Sequence, residues 1–346
     1  MKKLAFVLSV ACLSASLAFA AVPPPQARPP LKLVREFVMP ATVQGRFDHI
    51  AIDIPGHRLY AAAESAHQVL IFDLRTGRYL HSIRGIVMPH AMLIRPRIQR
   101  VFITDGGRGQ VRVYDRKTDR LLKAIPLKVD SDSIAYDPDA QDLFVVNGGG
   151  DAHQTFSMVS VIQTATEKKL ASIRIDGDTL EAMVIDPDSG RIYINDPAKN
   201  TVVVVNRRTR KVEASWPVTR GRENVALALD ATHHRLFVAC RSGVLVVFDT
   251  RTGREIKSMP IGKGVDDASF DPETDRIYAQ CGKPGATWVY REQPSDRYTL
   301  LGEVREGANA KNAALVPGLH RYFVLVPPAG SAPGRIDEFA LPQGPQ

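Results

Sequence analysis

The chain has 346 residues, of which 44% are hydrophobic, 24% charged and 7% aromatic. This composition is typical of a globular protein and excludes collagen-like, coiled-coil and wholly disordered chains. Lys and Arg number 45 against 37 Asp and Glu, and the resulting net charge of +8 is too small for this length to identify an anionic partner.

The first 20 residues have the pattern of a secretory signal peptide. Two lysines precede an apolar run from Leu4 to Phe19, which ends in small residues. The run is short and interrupted by serines, which argues against a retained transmembrane helix. We therefore expect cleavage after Ala20 and a soluble periplasmic or secreted protein without stable membrane insertion.

The rest of the chain consists of seven repeats of four short strands. One aromatic residue recurs in each repeat at intervals of 42, 42, 49, 44, 41 and 45 residues. These aromatic residues are Tyr60, Phe102, Phe144, Tyr193, Phe237, Tyr278 and Phe323. Helical periodicity is missing, and a period of roughly 40–45 residues with four strands is typical of β-propeller blades. The sequence predicts an all-β, seven-bladed β-propeller of four-stranded antiparallel blades.

The two ends of the repeat region complement each other. The last repeat supplies three strands and ends near Ala340, whereas residues 32–38 before the first repeat resemble a lone outer strand. We predict that this N-terminal strand completes the seventh blade and closes the ring, which removes two exposed sheet edges. A single propeller domain then covers residues 31–340, after a proline-rich leader at 21–30 and before a C-terminal tail at 341–346.

Several repeat segments resemble the YVTN-type, YncE-like family of exported seven-bladed propellers. They include DPDSGRIY at 186–193, NTVVVVN at 200–206, RLFVAC at 235–240 and GVLVVFDTRTGR at 243–254. The literal Tyr-Val-Thr-Asn tetrad does not occur. The resemblance covers nearly the whole mature chain and implies an exported propeller of the WD40/YVTN-like superfamily. That superfamily includes periplasmic proteins, a DNA-binding member, and relatives of lactonases and of cofactor-bearing redox propellers, so the resemblance leaves the function open.

Function is expected on the face that carries the loops between second and third strands, because these loops vary in length and include the glycine-rich segment 147–157. The residues that open the innermost strands should line the mouth of the central channel on that face. In register they are Asp48, His90, Asp132, Glu181, Asn224, Asp266 and Lys311, with His49, Glu223, Asp267 and Asn312 adjacent. This mostly acidic funnel suits a cation or a small polar, positively charged molecule. The alternative is a water-filled channel without a ligand.

Metal and cysteine chemistry are open alternatives. No cofactor is predicted, although Asp48, His90 and Asp132 could together hold a metal ion. The pair at 233 and 234 falls in a turn on the other face, where a solvated loop is the simpler interpretation. Cys240 and Cys281 occupy equivalent positions on adjacent blades, and an exported location permits a disulfide if their Cα atoms come close enough.

No catalytic signature such as a nucleophile elbow, phosphate-binding loop or haem-attachment motif occurs in the sequence. The favoured hypothesis is a monomeric, non-enzymatic scaffold that binds a small polar molecule or a periplasmic protein through the funnel. The alternative is a lactonase-type hydrolase, or a redox protein assisted by a cofactor or metal, that uses the same funnel. A third hypothesis is nucleic-acid binding through a basic rim on the opposite face. This rim comprises Arg75, Arg78, Arg116, Lys117, Arg120, Lys168, Lys169, Arg207, Arg208, Arg210, Lys211, Arg251 and Arg254.

Overall fold

A computed structural model describes residues 29–342, which contain seven four-stranded antiparallel sheets. The sheets are the seven blades of a β-propeller, so the predicted fold is confirmed. The predicted signal peptide, its cleavage site, and most of the leader and tail lie outside the described residues.

The blades follow one another along the chain, and within each blade the innermost strand comes first. Blades one to three comprise β2 (Ile50–Asp53), β3 (Arg58–Ala63), β4 (Gln68–Asp73), β5 (Tyr79–Arg84), β6 (Pro89–Arg95), β7 (Arg100–Asp105), β8 (Gln110–Asp115), β9 (Leu121–Pro126), β10 (Ile134–Asp137), β11 (Asp142–Gly148), β12 (Ser157–Gln163) and β13 (Lys168–Ile175). Blades four to six comprise β14 (Met183–Asp186), β15 (Arg191–Asp196), β16 (Thr201–Asn206), β17 (Lys211–Pro217), β18 (Asn224–Asp230), β19 (Arg235–Cys240), β20 (Val244–Asp249), β21 (Arg254–Pro260), β22 (Lys263–Asp271), β23 (Arg276–Lys283), β24 (Ala286–Gln293) and β25 (Arg297–Arg305). Blade seven comprises β26 (Asn312–Val316), β27 (Arg321–Val326), β28 (Arg335–Ala340) and, from the N-terminal end, β1 (Lys32–Val38). Short 3₁₀ helices lie at Glu64–Ala66, Pro96–Ile98, Gly150–Ala152 and Pro317–Leu319.

Ring closure follows the prediction. Strand β1 pairs antiparallel with β28, with Phe37 opposite Ile336. The Phe37 ring is fully buried and makes edge-to-face contacts, each with 6.0 Å between centroids, with Phe72 of blade one and Phe323 of blade seven. The N-terminal strand therefore connects the last blade to the first.

The repeated aromatic residues form the contacts between blades. Every one of them is buried on the second strand of its blade. The apolar clusters of the described residues each join two neighbouring blades and contain one of these aromatics; Tyr278 of blade six, for example, stacks on Tyr322 of blade seven with centroids 5.1 Å apart. The repeat period seen in the sequence is thus the spacing of blade-to-blade packing.

Short polar turns connect the outer strands. The Asp73 carboxylate accepts the backbone N–H groups of Arg75 and Thr76 at 3.0 and 2.9 Å, and Asp115 and Asp249 form the same turn in their blades. The side chain satisfies backbone donors that the tight turn leaves without a strand partner. These aspartates therefore have a structural role.

Candidate functional site

A cavity of about 240 Å³ lies at the mouth of the central channel, where the innermost strands begin. It is lined by seven of the predicted residues, Asp48, His49, His90, Asp132, Glu181, Asp266 and Lys311. These residues are far apart in the sequence, and ring closure brings them together. Their role in ligand binding remains a prediction.

Blade five departs from the predicted register by one residue. Val225 lines the cavity in place of Asn224. It is the extra residue of a β-bulge in β18, and the extra residue of the equivalent bulge in β22 is Asp266, which also lines the cavity. A shift of one residue turns a strand side chain to the other face. Asn224 is instead fully buried and donates through Nδ2 to Asn195 Oδ1 at 2.6 Å. The assignment of Asn224 to the channel mouth was wrong.

The other adjacent residues have separate positions. Glu223 is exposed and is not among the residues that line the cavity, although its charge helps to raise the pKa of Arg241, and its role in ligand binding stays a prediction. Asp267 lies deeper in the channel, where its Oδ2 accepts the Ala313 N–H at 2.8 Å. Asn312 is buried beneath the mouth and donates through Nδ2 to Asp266 Oδ2 at 3.2 Å and to Asp48 Oδ1 at 3.4 Å.

Arg241 is a funnel residue that the sequence did not identify. Its Nη2 donates to Asp266 Oδ1 at 2.8 Å and lies 3.5 Å from Glu181 Oε1. It directly follows the second strand of blade five, and Glu64 follows the second strand of blade one in the same way. Because first and second strands are antiparallel, the end of the second lies beside the start of the first. Reading that position in every repeat would have identified both residues.

Two carboxylates of the funnel are paired with cationic side chains. Asp266 accepts from Lys311 Nζ at 2.6 Å and from Arg241, while Asp48 Oδ2 lies 2.5 Å from His90 Nδ1. Burial opposes ionisation of Asp48, but His49 and His90 outweigh it and hold the pKa of this carboxyl well below its usual range. Burial opposes protonation of His90 as well, yet Asp132 and Asp48 raise its pKa to about 9. At neutral pH these groups therefore form ion pairs.

Asp132 and Glu181 lack comparable partners. The nearest cationic nitrogens are His90 Nδ1, 3.8 Å from Asp132, and Arg241 Nη2, 3.5 Å from Glu181. Burial, reinforced by the Asp48 carboxylate, raises the pKa of Asp132 to about 6. Burial and the charge of Asp132 raise the pKa of Glu181 to about 8. Perturbed carboxyls in a cleft are typical of functional sites.

The funnel also contains a set of potential metal ligands. Atoms of Asp48, His49 and Asp132 lie within 4.8 Å of one another. The predicted set had His90 in place of His49, but His90 Nδ1 lies against Asp48 and its Nε2 is buried close to Gly106. His49 is therefore the better-placed imidazole.

The channel becomes apolar away from the mouth. Below the funnel, a second cavity of about 240 Å³ is lined by His49, Asp267 and mostly apolar side chains. At the opposite end, a cavity of about 460 Å³ has mostly apolar walls that include Tyr136, Ile185 and Phe270. Among the channel cavities of residues 29–342, the funnel therefore has the most charged lining.

Several arginines of the basic rim are held by carboxylates. Arg116 lies 2.6 Å from Asp53, and Arg207 lies 3.0 Å from Asp137. Arg210, Arg251 and Arg75 also have carboxylate partners. These ion pairs reduce the positive charge that the rim presents to a phosphate backbone.

The two cysteines are free in the structure, so the disulfide that the sequence left open is not formed. Both are fully buried, Cys240 in the apolar cluster between blades four and five and Cys281 in the cluster between blades five and six. Each cysteine packs against a glycine that lies just before the first strand of the same blade, Gly221 for Cys240 and Gly262 for Cys281. Equivalent positions on neighbouring blades thus belong to different packing layers.

No protein-family model matches this chain, and no curated protein matches it. Among solved structures, it is similar to hydrazine synthase of Kuenenia stuttgartiensis, with a TM-score of 0.70 and 15% identity over 82% of this chain and 94% of that chain. It is also similar to a chain of a mitotic checkpoint complex, with a TM-score of 0.73 and 13% identity over 96% of this chain and 99% of that one. The shared feature is the β-propeller fold. At these identities the likeness extends to the fold alone. Within residues 29–342, no helix has the length and apolar character needed to cross a membrane.

Proposed function

We propose that this chain is an exported, non-enzymatic propeller of the YVTN type that binds a small, positively charged molecule at the funnel. The observation that carries the proposal is the pair of carboxyl groups of Asp132 and Glu181, whose side chains are 23% and 22% exposed and which face the cavity without a cation at hydrogen-bond distance. Withdrawal from water without a close cationic partner disfavours the ionised form of both groups and raises the pKa of each. A ligand cation between the two carboxyl groups would stabilise both in the ionised form.

The dimensions of the funnel favour a small ligand. Its volume of about 240 Å³ lies below the roughly 300–1,000 Å³ of pockets that enclose drug-sized molecules. Lys311 and Arg241 donate hydrogen bonds to Asp266, Arg46 pairs with Glu64, and His90 pairs with Asp48, so these cations of the mouth have closer carboxylate partners than Asp132 and Glu181. The side formed by Asp132 and Glu181 is left for a primary amine or guanidinium.

Isothermal titration calorimetry with putrescine, agmatine and choline tests the proposal, with 1,4-butanediol as the neutral comparison. We expect at least one of the cationic probes to bind while the diol does not. In an Asp132→Asn, Glu181→Gln double variant, affinity should fall at least tenfold, whereas the exposed Asp188→Asn on the opposite face serves as the matched control. If none of the cationic probes binds, or if the double variant binds as tightly as the control, the proposal is wrong.

A metal-dependent hydrolase of the lactonase type is the second candidate function. It is favoured by the convergence of Asp48, His49 and Asp132, whose carboxylate and imidazole atoms are suitable ligands for a divalent metal. Elemental analysis and an absorbance spectrum of protein purified from its native host distinguish the two functions. One equivalent of metal that is lost in His49→Ala, together with lactone turnover, would favour the hydrolase over the scaffold.

A further inference from the structure

Arginine–aspartate ion pairs join neighbouring blades at two places on the turn face. Arg116 of blade two donates through Nε and Nη2 to Asp53 of blade one at 2.6 and 2.8 Å. Arg207 of blade four lies 3.0 Å from Asp137 of blade three. In both cases the arginine directly follows the third strand of its blade, and the aspartate ends the first strand of the preceding blade. At these two junctions a cation thus occupies the position after the third strand, whereas blades one, three, five and seven have Leu74, Thr164, Thr250 and Leu341 there.

The junction between blades five and six has a carboxylate at that position. By strand register, Glu292 of blade six is equivalent to Arg116 and Arg207. Asp230 of blade five is equivalent to the two aspartates that these arginines contact. Two carboxyl groups thus meet at the position where the two junctions above have an arginine–aspartate pair.

An imidazole completes the cluster. Ligand atoms of Asp230, His233 and Glu292 lie within 4.8 Å of one another. His233 Nδ1 is 2.5 Å from Asp230 Oδ2. Glu292 is only 8% exposed; its Oε1 accepts the Tyr298 hydroxyl at 2.9 Å, and its Oε2 is buried without a hydrogen-bond partner. Glu292 Oε2 is therefore a buried acceptor that is available to a bound cation.

The cluster borders an open cavity. His233 and Glu292 line a cavity of about 350 Å³, which leaves room for water molecules as further ligands. Arg235 also lines the cavity, but its guanidinium is directed to Asp249 at 3.1 Å and to Asp296 at 2.7 Å. The nearby arginine therefore has its own carboxylate partners.

We propose that Asp230, His233 and Glu292 bind a divalent transition-metal ion, of the Zn²⁺ or Mn²⁺ class, that joins blades five and six. One imidazole and two carboxylates form a ligand set that such ions accept, with water completing the coordination. The ion takes the structural place that a guanidinium holds at the other two junctions. This site is on the face opposite the funnel and is independent of ligand binding there.

The test uses the mature protein treated with a chelator and then titrated with ZnCl₂ or MnCl₂. To exclude metal bound in the funnel, the titration is repeated in an Asp132→Asn background. We expect one equivalent to bind in both backgrounds and the melting temperature to rise by about 4 °C at 100 times the dissociation constant. His233→Ala should weaken binding at least tenfold. The control is His234→Asn, since asparagine tolerates the left-handed backbone conformation of residue 234 (φ 59°).

A second variant introduces at this junction the arginine–aspartate pair of the two junctions described above. Glu292→Arg should remove metal binding, and its melting temperature should be at least that of the metal-free wild type and independent of added metal. This result distinguishes loss of the site from failure to fold. The proposal is overturned if neither ion binds the wild type, or if one equivalent still binds to both His233→Ala and Glu292→Arg in the Asp132→Asn background.

Discussion

Replacing Glu181 by glutamine should change how the stability of the protein depends on pH. Burial and the charge of Asp132 raise the pKa of Glu181 from its ordinary value of 4.5 to about 8. Between these values the folded state holds a proton that the unfolded state releases. The free energy of unfolding of the wild type therefore contains a contribution that decreases as the pH rises through this interval.

The expected magnitude follows from the size of the shift. Each pKa unit corresponds to about 1.4 kcal/mol. Between pH 4.5 and about 8 the free energy of unfolding of the wild type therefore falls by about that amount per pH unit, and the total loss above pH 8 is at most about 4–5 kcal/mol. Glutamine carries no charge at any pH. Glu181→Gln should therefore be similar to the wild type near pH 5 and more stable than it above pH 8.

Urea unfolding at pH 5 to 9 measures this difference, with the fluorescence of Trp216 and Trp288 as the signal. These tryptophans lie in blades four and six, on either side of the blade that contributes Arg241. The reasoning is refuted if the difference in unfolding free energy between Glu181→Gln and the wild type is the same at pH 5 and pH 9, or if it changes in the opposite direction.

Three further predictions concern the scaffold. Phe37→Ala should reduce the free energy of unfolding by about 3–5 kcal/mol, because the ring is fully buried between the first and last blades; a loss below about 1 kcal/mol in urea unfolding would contradict its role in ring closure. Arg116→Ala should cost about 3–5 kcal/mol, since it leaves the Asp53 carboxylate, which is 1% exposed, without its cation, and the exposed Arg254→Ala is the control for loss of a surface charge. Burial raises the pKa of both Cys240 and Cys281 to about 12, so thiol reagents should react with neither in the folded mature chain and with both in urea; a disulfide would leave none to react.

The sequence was sufficient to predict the fold because the signal is repeated. Each aromatic residue at the repeat period packs between two blades. The last repeat has only three strands, so the strand at 32–38 could be assigned as the fourth strand of that blade. Such spacing depends on the geometry of the whole ring, so it is preserved along the chain. Seven copies also made the register of most innermost strands readable.

The candidate site was only partly predictable, for reasons of local geometry. The bulge in β18 shifts the register by one residue and exchanges Asn224 for Val225 at the mouth, and no pattern in the repeat marks that insertion. Arg241 comes from a different strand position, which the comparison of first strands did not include. The turn-face cluster depends on the contact between His233 of blade five and Glu292 of blade six. Pairing across blades is set by packing and could not be read from either repeat alone.

A crystal structure of the mature protein with putrescine at saturating concentration tests the central claim most directly. The account predicts that one amine nitrogen lies within hydrogen-bond distance of the carboxylates of both Asp132 and Glu181, with Asp266 still paired with Lys311 and Arg241. Density for the diamine only at the apolar end of the channel or on the turn face, with water alone between those two carboxylates, would contradict it.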